Sequence, residues 1–275
     1  MENRIIKEKN IRLVVTDLDD TLLSPDKEIS EEAAEIIDGL EERGIKFTFI
    51  TGRPPYAIER FAEKVRITAP VVACNGAMLV DRAAGTVFPQ AALNPGPLLE
   101  ILKDASGQGH TVLVLAGQTE YTLGETAWTR KRKEAGRELP VARIENLLSA
   151  GDIYKVNIME EKDAPPLDGI LARILERKDD YSVSVYGRSG CEIVAKGVNK
   201  RTGLLKLCEQ CGIPPESVLA IGDNENDIEM IRAAGTGAAV ENAVKRVKES
   251  ADYICKNSYT DGVIEAILKF TCQEK

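Results

Sequence analysis

Short runs of apolar and β-branched residues alternate with helical segments at the start of the chain. The runs are typical of buried strands, and the segments between them repeat apolar residues at helical spacing. Ser30 is suited to cap the first helix and Gly44 to end it. The order strand–helix–strand–helix–strand indicates a parallel sheet with right-handed crossovers. The predicted strands lie at residues 11–16, 45–50 and 69–74, and the helices at 31–43 and 56–65.

The middle of the chain has a different pattern, which favours antiparallel strands packed with helices. A hairpin at 77–80 and 86–88 precedes it, and predicted strands follow at 111–116, 120–123, 153–159 and 181–186. The parallel pattern resumes at Cys191, with a strand at 191–194, a helix at 200–211 and strands at 217–221 and 236–240.

This pattern predicts an α/β protein of two domains. Residues 1–88 and 189–275 form a Rossmann-like parallel core, and residues 89–188 form an inserted α+β cap domain.

Polar residues follow the predicted core strands at their carboxyl ends. Asp17 and Asp19 come after the first strand, Thr51 after the second, Asn75 after the third and Asp223 after a later one. Ligands of open parallel sheets bind outside this edge. We therefore expect the binding site there.

The acidic stretch after the first strand suggests a particular chemistry. Carboxylates held close together repel one another unless a cation pairs them, and oxygen ligands favour Mg²⁺. An ionised Asp is also a nucleophile toward phosphorus. From these residues alone, a strand followed by an ordinary acidic turn remains an alternative.

Composition limits the partners. Of the 275 residues, 43% are hydrophobic and 29% are charged, and the net charge is −8. This acidity disfavours nucleic acid and anionic membrane, so we expect a small-molecule partner. No apolar signal segment or run of about 18 apolar residues is found, so we expect no membrane span and a cytoplasmic location.

The six cysteines are scattered, which also suits a reduced cytoplasm. Cys208 and Cys211 have the spacing of a redox or zinc pair. However, they share one face of a predicted helix with Leu204, and no second Cys pair or His cluster is near. Core packing is the favoured interpretation.

Four motifs occur in the order of a known superfamily. They are Asp17-x-Asp19-x-Thr21, Thr51-Gly52-Arg53, Lys200 and Gly222-Asp223-x-x-Asn226-Asp227. The set resembles the haloacid dehalogenase (HAD) superfamily of phosphohydrolases. It is similar in particular to the Cof-type group, which carries a large cap between the second and third motifs. The resemblance covers both core segments, whereas the cap matches mainly in position and size.

The resemblance implies roles for the carboxylates. Asp17 would be the nucleophile, and Asp19 would protonate the leaving oxygen and later activate water. Mg²⁺ would be held by the Asp17 carboxylate, the Asp19 backbone carbonyl and Asp223. Asp227 would orient Lys200 or a metal-bound water, and Thr21 would hydrogen-bond within the nucleophile loop.

The resemblance also implies a phosphate cradle. Thr51, Gly52 and Lys200 would hold the phosphate oxygens, and Asn226 would reach the same group. Arg53 and Asn75 are candidates for substrate contact, although a solvent-facing arginine and an ordinary turn residue are open alternatives. Asp20 stands where the wider superfamily commonly has glycine.

The implied function is a Mg²⁺-dependent phosphatase of small phosphate monoesters that acts through an aspartyl-phosphate. A phosphosugar mutase with the same nucleophile and a non-catalytic metabolite sensor are alternatives. The substrate is open among glycolate, sugar, polyol, pyridoxal and flavin-precursor phosphates. The basic segment 130–133 is either a solvated face or an attractor of substrate. The sequence leaves a monomer and a homodimer equally open.

Overall fold

The computed structural model describes residues 10–147, 151–186 and 189–272. The chain divides into two compact units. The core unit comprises Met1–Phe88 and Asn199–Lys275, and the inserted unit comprises Pro89–Val198. In the described residues, no helix combines the length and the apolar character that crossing a bilayer requires.

The described residues form thirteen strands and ten α-helices. The strands are β1 (Leu13–Thr16), β2 (Lys46–Phe49), β3 (Val71–Ala73), β4 (Met78–Asp81), β5 (Thr86–Pro89), β6 (Thr111–Ala116), β7 (Thr119–Thr122), β8 (Ile153–Met159), β9 (Tyr181–Val185), β10 (Gly190–Ala195), β11 (Val218–Gly222), β12 (Thr236–Ala239) and β13 (Tyr253–Ile254). The helices are α1 (Glu31–Glu42), α2 (Glu59–Ala62), α3 (Leu99–Gly107), α4 (Ala127–Glu134), α5 (Ile144–Leu147), α6 (Asp168–Leu175), α7 (Lys200–Cys211), α8 (Ile228–Ala233), α9 (Lys245–Lys248) and α10 (Tyr259–Thr271).

The core unit is built on a parallel sheet in the order β13-β12-β11-β1-β2, as the sequence predicts. Strand β1 is central, and its Val15 pairs with Thr48 of β2 and Ala220 of β11. All four residues of β1 are buried, because both faces of the sheet are covered. A core cluster joins Leu13 and Val15 to α7.

Strand β3 departs from the prediction. It pairs antiparallel with β4 in a separate three-stranded sheet, β3-β4-β5, which contains the predicted hairpin. A single parallel bridge, Ile50 to Val72, connects it to the end of β2. The predicted helix at 56–65 is also shorter: a 3₁₀ turn, Pro55–Ala57, precedes the single turn of α2.

The inserted unit contains an antiparallel sheet in the order β7-β6-β8-β10-β9. Helix α3 packs against β6 and α6. The boundary predicted at residues 188 and 189 is corrected, because β10 pairs with β8 and β9 and so belongs to this unit. The sequence pattern assigns the strand at Cys191 to the core, which is wrong. An apolar run alone does not reveal which sheet it joins. Residues 187–188 themselves lie outside the described residues.

The structure favours a structural role for two stretches for which the sequence leaves a functional role open. Cys208 is buried in the core cluster, Cys211 packs against it, and both thiols are free, as the packing interpretation predicts. Arg130 and Lys133 of α4 are exposed and form ion pairs with Glu125 and Glu138. That arrangement favours a solvated face.

Helix α7 begins with a capping box between Asn199 and Thr202. Its first turn lies against the turn after β3. A Cβ on Gly203 would lie 2.5 Å from Val72 Cγ1 and 2.9 Å from Gly76 Cα. Glycine is therefore required for this close approach, which sets where the start of α7 lies.

We expect Gly203→Ala to lower the free energy of unfolding by about 1–3 kcal/mol, because the added methyl group has no room. Urea denaturation measures the change. Gly39→Ala in α1 is the matched control, since its Cβ would meet no atom of the described residues within 4 Å. A glycine-to-alanine change in an open helix interior is neutral or stabilising. Equal stabilities for the two variants would contradict the close approach.

Candidate active site

Three neighbouring strands bring polar residues to one edge of the core sheet. Asp17 follows β1, Thr51 follows β2 and Asp223 follows β11. The Asp17 N–H donates to the Ile221 carbonyl at 3.0 Å, which ties the end of β1 to the end of β11. The first and last parts of the chain thus meet where the sequence predicts the site.

Lys200 is buried at the start of α7, with 1% of its surface exposed. Its Nζ lies 2.8 Å from Asp17 Oδ1 and 2.5 Å from Asp227 Oδ1. Burial alone would lower the pKa of Lys200, but the carboxylates of Asp17 and Asp227 raise it above its usual value. The ammonium is therefore charged and held between two acids.

Asp227 has a second set of contacts. Its Oδ2 accepts hydrogen bonds from the backbone N–H groups of Asp223 and Asn224, both at 3.0 Å. A Cβ on Gly222 would lie 2.5 Å from the Asp227 carboxyl carbon, so only glycine leaves room there. Asp227 therefore contacts both Lys200 and the backbone of the loop after β11.

Thr21 has a different partner from the expected one. Its hydroxyl donates to Asp223 Oδ1 at 2.5 Å, across the site, whereas the prediction was a hydrogen bond within its own loop. This contact joins the loop after β1 to the loop after β11.

Three buried carboxylates form the candidate cation site. Oxygen atoms of Asp17, Asp223 and Asp227 all lie within 4.8 Å of one another. Burial, together with the other two acids, raises the pKa of Asp17 to about 8 despite Lys200. Burial and the charge of Asp227 raise the pKa of Asp223 to about 6. The negative charge therefore exceeds what Lys200 neutralises, and an all-oxygen donor set of this kind fits a hard divalent cation such as Mg²⁺.

Asp19 is held apart from this cluster by two basic side chains. Arg53 donates to both of its carboxylate oxygens at 2.7 Å, and Lys27 Nζ lies 3.4 Å from Oδ1. Partial burial would raise the pKa of Asp19, but Arg53 and Lys27 lower it below its usual value. The sequence leaves substrate and solvent open as the contact of Arg53, and the structure adds Asp19. Lys27 was missed, although it is a basic residue close to an acidic cluster.

The remaining predicted residues lie around the same edge. Thr51 is buried, and its hydroxyl accepts from the Arg53 N–H at 3.2 Å. The Asn75 N–H donates to the Thr51 carbonyl at 2.9 Å. The Asn75 side-chain oxygen accepts from Asn226 Nδ2 at 3.3 Å. Gly52 stands between Thr51 and Arg53.

Comparison with known proteins identifies the family. A family model described as haloacid dehalogenase-like hydrolase matches residues 14–267. The chain belongs to the haloacid dehalogenase-like hydrolases. Within them it is of the Cof type, as its motifs predict, and it is a phosphoric monoester hydrolase, as its relatives are.

Relatives of this haloacid dehalogenase-like hydrolase are phosphatases with different substrates in their names. The 5-amino-6-(5-phospho-D-ribitylamino)uracil phosphatase YcsE of Bacillus subtilis is 27% identical over 265 residues, which are 94% of this chain and 95% of that protein. A phosphoglycolate phosphatase of Methanosarcina acetivorans is 54% identical over 97 residues, which are 35% of this chain and 43% of that protein.

A solved structure also matches this haloacid dehalogenase-like hydrolase. It is a haloacid dehalogenase-like hydrolase from Bacteroides thetaiotaomicron, with 26% identity and a TM-score of 0.78, and the match covers 94% of this chain and 99% of that one. Phosphatases of this family generally use Mg²⁺, and the buried acidic cluster is compatible with that use.

We expect the stability of the metal-free protein to fall as the pH rises from 5 to 8.5. The folded-state pKa values of about 8 for Asp17 and about 6 for Asp223 exceed the ordinary 3.8, so the folded state binds more protons across this range. Together the two shifts correspond to a loss of about 5 kcal/mol over this range. Thermal melts in EDTA measure it, and Asp17→Asn should flatten the slope. A melting temperature that stays constant or rises over this range would contradict the raised pKa values.

Proposed function

We propose that this protein is a Mg²⁺-dependent phosphatase of small phosphorylated metabolites that forms an aspartyl-phosphate on Asp17. The observation that carries the proposal is the buried arrangement of Lys200 between Asp17 and Asp227, beside Asp223. It gives a nucleophile, a fixed positive charge and a set of oxygen ligands at one sheet edge. The relatives that are named phosphatases support the same reaction.

In the first step, a carboxylate oxygen of Asp17 forms a bond to phosphorus while the bond to the leaving oxygen breaks. Asp19 supplies the proton that the leaving oxygen needs. Lys200 stabilises the negative charge on the transferring group, and Thr51 and Gly52 orient its oxygens. Asn226 and Asn75 complete the substrate contacts. In the second step, water attacks phosphorus, Asp19 takes its proton, and the bond to Asp17 breaks to release phosphate.

Mg²⁺ would be held by Asp17, Asp223 and the backbone carbonyl of Asp19, with Asp227 in a supporting position. When bound, it would neutralise the excess negative charge of the carboxylates and of the phosphate. Asp227 contributes by holding Lys200 and the backbone of the loop after β11.

Arg53 links substrate binding to the acid. Since its contact keeps the pKa of Asp19 low, Asp19 is ionised while the pair is intact. We propose that an incoming phosphate draws Arg53 away, which raises the pKa of Asp19 and lets it carry a proton. Arg53 then serves both substrate binding and the control of Asp19.

Substrate choice is proposed to lie with the inserted unit, Pro89–Val198. The relatives' names include a ribitylamino-uracil phosphate and phosphoglycolate, so family membership leaves the choice open. We propose a cytoplasmic enzyme, monomeric or homodimeric, whose partner is a small phosphate monoester and not nucleic acid or membrane. Release of inorganic phosphate from a panel of glycolate, sugar, polyol, pyridoxal and flavin-precursor phosphates would identify it. A hexose 1-phosphate that is isomerised without phosphate release would favour a mutase instead.

We expect Asp17→Asn to lower kcat for p-nitrophenyl phosphate by at least about 10³-fold, because the amide cannot accept the phosphoryl group. Asp26→Asn is the matched control, since Asp26 is an exposed acid in the same part of the chain. Steady-state rates and thermal melts of both variants give the comparison. A folded Asp17→Asn variant with wild-type kcat would rule Asp17 out as the nucleophile.

We expect EDTA to stop turnover and added Mg²⁺ to restore it, because the carboxylates require a cation to accept an anionic substrate. Ca²⁺ at the same concentration serves as a control for charge alone, since it prefers more ligands at longer distances. Unchanged turnover after exhaustive removal of divalent metal would refute the metal requirement.

A further inference from the structure

The turn that follows Asp17, which we call the nucleophile turn (Leu18–Leu22), is tied to two distant segments. The Asn242 side-chain amide donates through Nδ2 to the Asp20 carbonyl at 2.7 Å. The Thr260 hydroxyl donates to the Leu22 carbonyl at 2.7 Å. Asn242 comes shortly after β12 and Thr260 is in the first turn of α10, so both contacts are made across the fold.

The other end of the Asn242 side chain is also engaged. Its Oδ1 accepts the Tyr259 N–H at 2.8 Å. One side-chain amide therefore joins the backbone of Asp20 to the backbone of Tyr259. Both of these residues have left-handed backbone conformations, with φ values of 62° and 52°.

A left-handed conformation is unfavourable for a residue with a side chain, and it persists where the surroundings hold it in place. Asp20 lies between Asp19 and Thr21, so its φ and ψ angles set the directions of both neighbours. A hydrogen bond to the Asp20 carbonyl restrains the peptide that leads to Thr21, whose hydroxyl reaches Asp223. Asp19 precedes the same residue and provides the proposed acid.

We propose that Asn242 is a positioning residue for the reaction: its side-chain amide holds Asp20 in the left-handed conformation and so fixes the nucleophile turn. The inference rests on the proposed phosphatase function for its kinetic consequence. Thr260 restrains the end of the same turn. The described hydrogen bonds of the Asn242 side chain are with backbone groups. Asn242 therefore influences the reaction indirectly, through the conformation of the nucleophile turn.

Asn242→Asp separates the two contacts. The carboxylate keeps an acceptor for the Tyr259 N–H, which protects folding, but it has no donor for the Asp20 carbonyl. Asn242→Ala removes both contacts without adding charge. Ser258→Ala is the matched control, because the Ser258 hydroxyl joins the same two segments through Glu241, and its described hydrogen bond leaves the nucleophile turn aside.

With p-nitrophenyl phosphate and Mg²⁺, we expect about tenfold lower kcat in both Asn242 variants, with KM within about twofold of wild type. The Ser258→Ala variant should keep the wild-type kcat. Asp20→Gly should rescue Asn242→Ala, because glycine adopts a positive φ without strain. Asp20→Ala removes the same carboxylate, which pairs with Lys27. It should not restore kcat, because alanine is strained at a positive φ.

Hydrogen exchange provides a readout that does not depend on turnover. The Leu23 N–H donates to the Leu18 carbonyl at 2.8 Å across the turn. We expect its exchange in metal-free protein to be faster in both Asn242 variants than in wild type, and unchanged in Ser258→Ala.

Wild-type kcat and wild-type exchange in both Asn242 variants would overturn the inference. Equal rescue by Asp20→Ala and Asp20→Gly would overturn it too, since the backbone conformation would then be irrelevant. If the wild-type protein releases phosphate from no ester, the proposed function fails, and the exchange rates still decide whether Asn242 holds the turn.

Discussion

The ion pairs of Lys200 with Asp17 and Asp227 are the interaction on which the site depends. All three side chains are buried, so each charge needs its partner, and removing one partner of a buried pair costs about 3–5 kcal/mol. Lys200 comes from the start of α7, Asp17 from the end of β1 and Asp227 from the turn after β11. The pairs therefore connect three elements that are far apart in sequence.

Glycines make these pairs sterically possible. Gly203 lets α7 approach the turn after β3, which brings Lys200 to the sheet edge, and Gly222 leaves the space that the Asp227 side chain fills. The excess of acid over base then raises the pKa of Asp17 and Asp223. The close packing and the unusual pKa values thus have a common origin in the crowding of this edge.

Much of this could be predicted from the sequence, where the signal is local. Strands β6 and β8 and helix α7 have the predicted bounds, because hydrophobic periodicity and helix caps depend on residues that are close together in the sequence. The prediction that the strand at Cys191 belongs to the core sheet is wrong, because strand pairing depends on residues that are distant in the sequence. For the same reason, the sequence points to Arg53 and Thr21 without their partners. Asp19, Asp223 and the Asp20 carbonyl are contacts that only the folded chain reveals.

The parallel order of the core sheet has a consequence for synthesis on the ribosome. Leu13 of β1 pairs with Val218 of β11, so the central strand lacks one neighbour until β11 has been translated. The antiparallel sheet of Pro89–Val198 has all its strands earlier, with nearer partners, and local contacts form faster. Asp17, the proposed nucleophile, is thus translated long before Lys200 and Asp223, the residues that complete its surroundings.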